Sequence, residues 1–233
     1  TTFTMPGNDV KIEATYKDAP PSHSVYVGMT YTAGNLIYQI TSIDTATLGQ
    51  SKVIGVVAAK KNKITKVTIP DRADCKGYGL NVTEVGDNAF KAMKKLKKVT
   101  FGANVKAIGK AAFSNCKKLN KINFKNVTTI GNNAFAGCKA LKKLTIGSKV
   151  TTIGKNAFKK CTKLKTVVMG KSVKTIKAKA FTKDNKIKKI TFKGKKLKTV
   201  KKNALGSKVK KNIKTKKTKL KGYKKAIKVF KKT

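Results

Sequence analysis

An Ala-Phe pair recurs every 22 or 23 residues through this chain, at Ala89-Phe90, Ala112-Phe113, Ala134-Phe135, Ala157-Phe158 and Ala180-Phe181, with Ala204-Leu205 as a degenerate sixth copy. A fixed period of this size marks a solenoid, in which one coil cannot bury its apolar edges alone. The rest of the unit keeps step. Leu96, Leu119, Leu141, Leu164 and Ile187 come next, Val99, Ile122, Leu144, Val167 and Ile190 stand three further on, and Phe101, Phe124, Ile146, Met169 and Phe192 two beyond those. Val105, Val127, Val150, Val173 and Leu197, then Ile108, Ile130, Ile153, Ile176 and Val200, complete each copy.

The unit changes period half-way. Ala-Phe, with Cys three residues on and Leu three further, has helical spacing and predicts a turn or two of helix. The Val-x-Phe stretch alternates, as a strand does when one face is buried. Gly86, Gly109, Gly131 and Gly154 read as a tight bend after the second apolar pair, with Lys177 in that place one coil later. Stacking then buries Phe90, Phe113, Phe135, Phe158 and Phe181 as a core column, each fully buried large side chain contributing about 1.5 to 3 kcal/mol. Cys116, Cys138 and Cys161 fall three residues after the repeat Phe, where Met93 and Asp184 stand in the flanking coils. That spacing implies buried structural thiols, and neither a metal site nor a disulfide framework. Cys75, in the polar stretch Asp71–Cys75, has no assignable partner.

Charge is distributed unevenly. The chain has 56 Lys plus Arg against 9 Asp plus Glu, a formal charge of +47, and after residue 87 the only acid is Asp184. Arg72 is the only arginine, and without guanidinium forks specific reading of base edges is disfavoured. Ammonium groups make diffuse, salt-sensitive contacts that suit polyanions in general. The competing explanation is that lysine fills every solvated position without being selected for a ligand. Aromatic stacking partners for nucleic acid are missing, since Trp is absent and the repeat Phe residues have core spacing, so only non-specific nucleic-acid binding is expected.

The A-F-x-x-C-x-x-L unit with its V-x-x-I-G tail, over roughly residues 80 to 206, resembles the BspA-like leucine-rich-repeat family of bacterial surface and secreted proteins. Tyr31–Ile40, Val53–Val57 and Ile64–Pro70 are similar to the strand-rich segment that caps such arrays, and Lys216–Lys232 resembles their basic closing helix. The resemblance implies an α+β solenoid, a right-handed leucine-rich-repeat coil with β-strands on the concave face, a strand-rich N-terminal cap and a short C-terminal helix. Residues 1–19 are similar to the closing strand of an extracellular bacterial repeat module. The expected organisation is therefore that strand (1–19), a linker and β-rich cap with an irregular first coil (20–79), the repeat array (80–206) and a basic C-terminal cap (207–233). Thr1–Met5 lack the charged start and apolar stretch of a signal peptide, and no apolar run reaches the roughly 18 residues of a membrane span. The chain thus reads as a processed or excised piece of a longer surface or secreted protein.

The family implies a binding protein, an adhesin for host extracellular-matrix protein. On the concave face the outward positions Lys98, Thr100, Lys121, Asn123, Lys125, Lys143, Thr145, Lys189, Thr191 and Lys193 form the candidate binding grid. Adjacent strands lie about 4.8 Å apart, inside a Debye length of about 8 Å, so the stacked lysines repel one another unless an anion lies across them. An anionic polysaccharide is the matching partner, with an anionic cell-wall polymer as the structural alternative. No catalytic site is expected. His23, the single histidine, lies in a Pro-Pro-Ser-His-Ser linker, and Asp44, Asp71, Asp74, Glu84, Asp87 and Asp184 form no pair with glycosidase or metal spacing. Neither cofactor nor metal is implied, and a monomer is expected.

Overall fold

A computed structural model of the chain describes residues 27–33, 36–42, 52–57, 64–75, 77–183, 186–201, 203–205, 213–214 and 228–229. Six strands precede the repeats: β1 (Thr30–Ala33), β2 (Leu36–Ser42), β3 (Lys52–Val57), β4 (Lys66–Ile69), β5 (Arg72–Cys75) and β6 (Tyr78–Val85). The repeats then alternate long and short strands: β7 (Lys98–Phe101), β8 (Ala107–Ile108), β9 (Lys121–Asn123), β10 (Thr129–Ile130), β11 (Lys143–Thr145), β12 (Thr152–Ile153), β13 (Thr166–Met169), β14 (Thr175–Ile176), β15 (Lys189–Phe192) and β16 (Thr199–Val200). A last strand, β17, spans Ile213–Lys214.

Each coil gives one strand to each of two faces. The long strands pair in parallel as β4-β7-β9 and as β11-β13-β15-β17, so this face is made of two sheets. The short strands continue the cap in a single sheet, β1-β2-β3-β6-β8-β10-β12-β14-β16, with β5 paired to β6. The β5–β6 hairpin accounts for the extra residues between Ile69 and Val82, because its antiparallel register, Arg72↔Asn81 to Cys75↔Tyr78, is inserted before the first short strand position. Registers are exact repeats of one coil: Val67↔Val99, Val99↔Ile122, Val167↔Ile190 on the long face and Ile130↔Ile153, Ile153↔Ile176 on the short one.

The repeat rings are buried and stacked in one file. Phe90, Phe113, Phe135, Phe158 and Phe181 are at most 1% exposed, with successive centroids 4.9, 5.2, 5.4 and 5.3 Å apart and nearly parallel planes. Phe101 and Phe124 meet Phe113 and Phe135 edge-on, at 5.8 and 5.7 Å. Met93, the Leu column and the two Val/Ile columns fill the remaining section of each coil. In the cap, Tyr38 is buried and stacks on Tyr31 at 5.2 Å.

The Ala-Phe arc is not helical, which corrects the expectation from its spacing. It is a chain of single turns: Lys91 N–H donates to the Asn88 carbonyl, Met93 to Phe90 and Leu96 to Met93, three residues back each time. Alternate N–H groups instead leave the coil, with Asn88, Phe90 and Ala92 donating to the carbonyls of Lys110, Ala112 and Ser114 in the next one. Left-handed residues four apart make this possible: Asn88 and Ala92, Ala111 and Asn115, Asn133 and Gly137, Asn156 and Lys160, Lys179 and Lys183 all have φ between 53° and 75°. A continuous helix would direct all these donors inward along its own axis and leave nothing to bind the coils together.

The post-Ile glycines also have a different cause from the expected bend. Gly109, Gly131 and Gly154 have no positive φ. A Cβ on Gly131 would sit 2.7 Å from the Gly109 carbonyl carbon, so the residue is set by close approach of successive coils. Among the described residues the fold is a β-solenoid and not an α+β one. The closing helix expected over Lys216–Lys232 lies outside the described residues except for Lys228 and Val229, which are helical. Residues 1–19 and the Pro20-Pro21-Ser22-His23 linker also lie outside them.

Candidate binding surface

Lysine is most regular in the arc that leads from the last turn into the long strand, although exposed lysines also stand elsewhere, among them Lys91, Lys110, Lys155, Lys174, Lys177 and Lys198. Successive coils carry Lys94, Lys95, Lys97 and Lys98; then Lys117, Lys118 and Lys121; then Lys139, Lys142 and Lys143; then Lys163 and Lys165; then Lys186, Lys188 and Lys189. All of them are exposed. The backbone stacks this arc without offset, since Asn120 and Lys121 both donate to the Lys97 carbonyl, Lys165 and Thr166 to Lys142, and Lys188 and Lys189 to Lys165. Lys98 and Lys121 are thereby held one strand spacing apart, about 4.8 Å at the backbone, as are Lys142, Lys165 and Lys188 in turn.

The other sheet face differs. Its outward column is Ala107, Thr129, Thr152, Thr175 and Thr199 in parallel register, with no lysine in it. Just before it, the Thr128 and Thr151 hydroxyls donate to the carbonyls of Lys106 and Thr128, 3.0 and 3.2 Å away. Along the described array the long-strand side carries the lysine arc and the short strands a threonine column, which Lys106, Lys174 and Lys198 precede and Lys110, Lys155, Lys177 and Lys201 follow.

Within the grid, Lys98 and Lys121 are register partners, as are Thr100 and Asn123. Lys143 faces Thr166, which in turn faces Lys189, and Val168 separates Thr145 from Thr191. The column is thus interrupted by Thr166 and divided between two sheets, so Lys121 and Lys143 are not ladder partners. Lys125 and Lys193 lie beyond the ends of β9 and β15, at the corner that follows the strands.

The chemistry elsewhere is structural. Cys116, Cys138 and Cys161 are wholly buried and donate S–H to the carbonyls of Phe90, Phe113 and Phe135, 2.9, 3.2 and 3.4 Å away. Burial pushes the Cys116 thiol up to about 12 and the Cys138 thiol well above its ordinary range, which keeps both protonated and unreactive. Two carboxylates cap backbone of the following coil, Asp71 accepting from Ala103 N–H and Asp87 from Lys110 N–H. Asp74 accepts from Gly77 N–H in its own hairpin. Among the described residues there is no group of three metal-ligating side chains and no helix long and apolar enough to cross a membrane. His23, Asp44 and Asp184 lie outside the described residues.

The family model for the BspA-type leucine-rich-repeat region matches residues 82–214 in six copies. This chain belongs to that family. Among solved structures, a leucine-rich cell surface protein from Faecalibacterium prausnitzii A2-165 aligns with a TM-score of 0.58 at 24% identity, over 86% of this chain and 56% of its own length. The leucine-rich-repeat protein of T. pallidum aligns with a TM-score of 0.59 at 22% identity, over 80% of this chain and 86% of its own. Both likenesses concern the fold, and the chain spans little more than half of the F. prausnitzii protein. A search of curated proteins finds no match. Leucine-rich-repeat families are in general non-enzymatic binding modules, and nothing in the described residues assembles a catalytic group.

The threonine column escaped the sequence reading. Its signal was present as the Thr-Ile pair at 129–130, 152–153 and 175–176, with Thr199-Val200 after them. The strict apolar period of the Ile overshadowed the residue before it.

Proposed function

We propose that this chain is a non-enzymatic, extracellular binding module that attaches to anionic glycan, free or carried on host matrix protein, through the long-strand face. The observation that supports this reading is the regular lysine arc, stacked coil on coil by backbone hydrogen bonds. A rigid row of cations at one-strand spacing gains most from a ligand whose own charges recur along a line. The lack of arginine on this face suits ligands recognised as charge density and not as planar forks. Outward aromatic rings are also absent from its described strands, which disfavours stacking of bases.

Retention on immobilised heparin across a salt gradient tests the proposal. Elution above physiological ionic strength, with the Lys98→Gln/Lys121→Gln variant eluting earlier, is the expected result. Release below physiological salt, or equal retention on duplex DNA, overturns it.

A further inference from the structure

The corner after each long strand varies along the array. From the last inward residue of the strand to the next inward one, the chain advances four positions in the third and fourth coils (Ile146 to Val150, Met169 to Val173). It advances three in the second (Phe124 to Val127) and five in the fifth (Phe192 to Leu197). The first coil also advances four (Phe101 to Val105), and at the adjoining corners of the third and fourth coils Gly147 and Gly170 stack. A Cβ on Gly170 would overlap the Gly147 carbonyl oxygen, and one on Gly147 would lie 2.9 Å from Phe124 Cβ. Backbone contact between coils thus leaves both positions without side chains, Gly147 half-buried and Gly170 buried. The flanking corners put Lys125 and Lys193 in the glycine column, and a cleft of about 360 Å³ opens over the two glycines. Thr145, Ser148, Lys171 and Lys193 surround it, and its volume lies within the range of small-ligand sites, roughly 300 to 1,000 Å³.

We propose that this cleft is a subsite for one anionic sugar unit. Its ring lies over the Gly147–Gly170 floor, its sulfate, phosphate or carboxylate substituent is held by Lys171 and Lys193, and Thr145 and Ser148 exchange hydrogen bonds with its hydroxyls. The inference rests on the glycan reading and adds a place and a unit size to it. Two hydroxyls that both donate and accept match a polyhydroxylated ring. Two lysine ammonium groups hold an anion as point charges, so the geometry of the anionic substituent is not restricted to a planar fork.

The test uses a fluorescent, heparin-derived sulfated disaccharide, too short to span the array, titrated into the full chain at physiological salt. Lys171→Gln/Lys193→Gln is compared with Lys91→Gln/Lys110→Gln, which removes the same charge from the first coil, outside both the lysine arc and the cleft; all four lysines are exposed, and equal melting temperatures confirm that both variants fold. The cleft variant should bind the disaccharide about tenfold more weakly or worse, and the first-coil variant within about threefold of the parent, since charges beyond a Debye length are largely screened. Equal weakening in the two variants overturns the subsite. So does competition by inorganic sulfate, or by an acidic peptide of the same charge, at the concentration at which the disaccharide competes. The broader reading fails separately: if the disaccharide binds with this dependence on Lys171 and Lys193 while long heparin is not retained, the cleft stands and the lysine arc loses its role.

Discussion

Replacing Phe135 by Ala tests the solenoid core at its centre. The ring is fully buried and touches three others: Phe113 at 5.2 Å and Phe158 at 5.4 Å, both within 4° of parallel, and Phe124 edge-on at 5.7 Å. Truncating a buried phenylalanine costs about 3 to 5 kcal/mol through lost transfer energy and the cavity left behind. Each aromatic pair adds about 0.5 to 1.5 kcal/mol beyond its area, so this position belongs at the upper end, about 5 kcal/mol. Phe181, which among the described residues stacks on Phe158 and meets Leu205 where the next ring would be, should lose about 3 kcal/mol. Urea unfolding followed by far-UV circular dichroism, with hydrogen exchange to report whether single coils open separately, measures both. The neighbours cannot close the gap cheaply, since they are tied by backbone hydrogen bonds on either side, Phe113 N–H to Ala134 and Phe135 N–H to Ala157. A cost under about 1.5 kcal/mol at Phe135, or a larger cost at Phe181 than at Phe135, would refute the reasoning.

Gly170→Ala should lower the melting temperature, with a loss of about 3 kcal/mol, because the added carbon overlaps the backbone of the adjoining coil and not a movable side chain. Lys160→Gly should raise it, by up to about 1 kcal/mol, since Lys160 holds φ 62° where the preceding coil has Gly137. Between about pH 9 and 12 stability should fall as pH rises. The folded state keeps the Cys116 proton to about 12 while the unfolded thiol releases it near its ordinary value of 9.0, giving a slope of about 1.4 kcal/mol per pH unit per thiol. Cys116→Ala should flatten that slope, as read by chemical denaturation at successive pH values; an unchanged slope would contradict the account. Added salt should raise stability and then level off, because the stacked lysines repel one another and are screened; a flat response from 10 to 300 mM NaCl would show that the arc carries no strain.

The apolar columns were legible because each inward position repeats with the same residue type, so that Phe135 or Ile153 can be placed from spacing alone. Local conformation was less so. A spacing of three fits both a helix and a chain of turns, and the difference is carried by residues that tolerate positive φ at every fourth position. Asn88, Asn115, Asn133, Gly137 and Asn156 supply that signal, but Ala92, Ala111, Lys160, Lys179 and Lys183 hide it. The division of the long face into two sheets was not legible either. It coincides with the second coil, whose corner is one residue shorter, a length difference visible in the sequence but without a local chemical mark. For the binding surface, sequence located the lysines but not which of them share a column; the strand registers and inter-coil hydrogen bonds supply that.

Those same bonds make the coils interchangeable. The amides of Phe90, Phe113, Phe135, Phe158 and Phe181 each donate to the alanine carbonyl one coil ahead, over 2.6 to 2.9 Å, so every coil offers its neighbour the same docking terms. Loss or duplication of a whole coil would set Phe113 on Phe158, or one copy on another, with the ladder intact. A gene of this kind can change its length by unequal recombination and still encode a closed core, which makes the reach of the protein a heritable variable largely uncoupled from its stability. The irregular corners are where such freedom ends, because the cleft beside Lys193 is lined by three successive coils, the last of which has the longer corner.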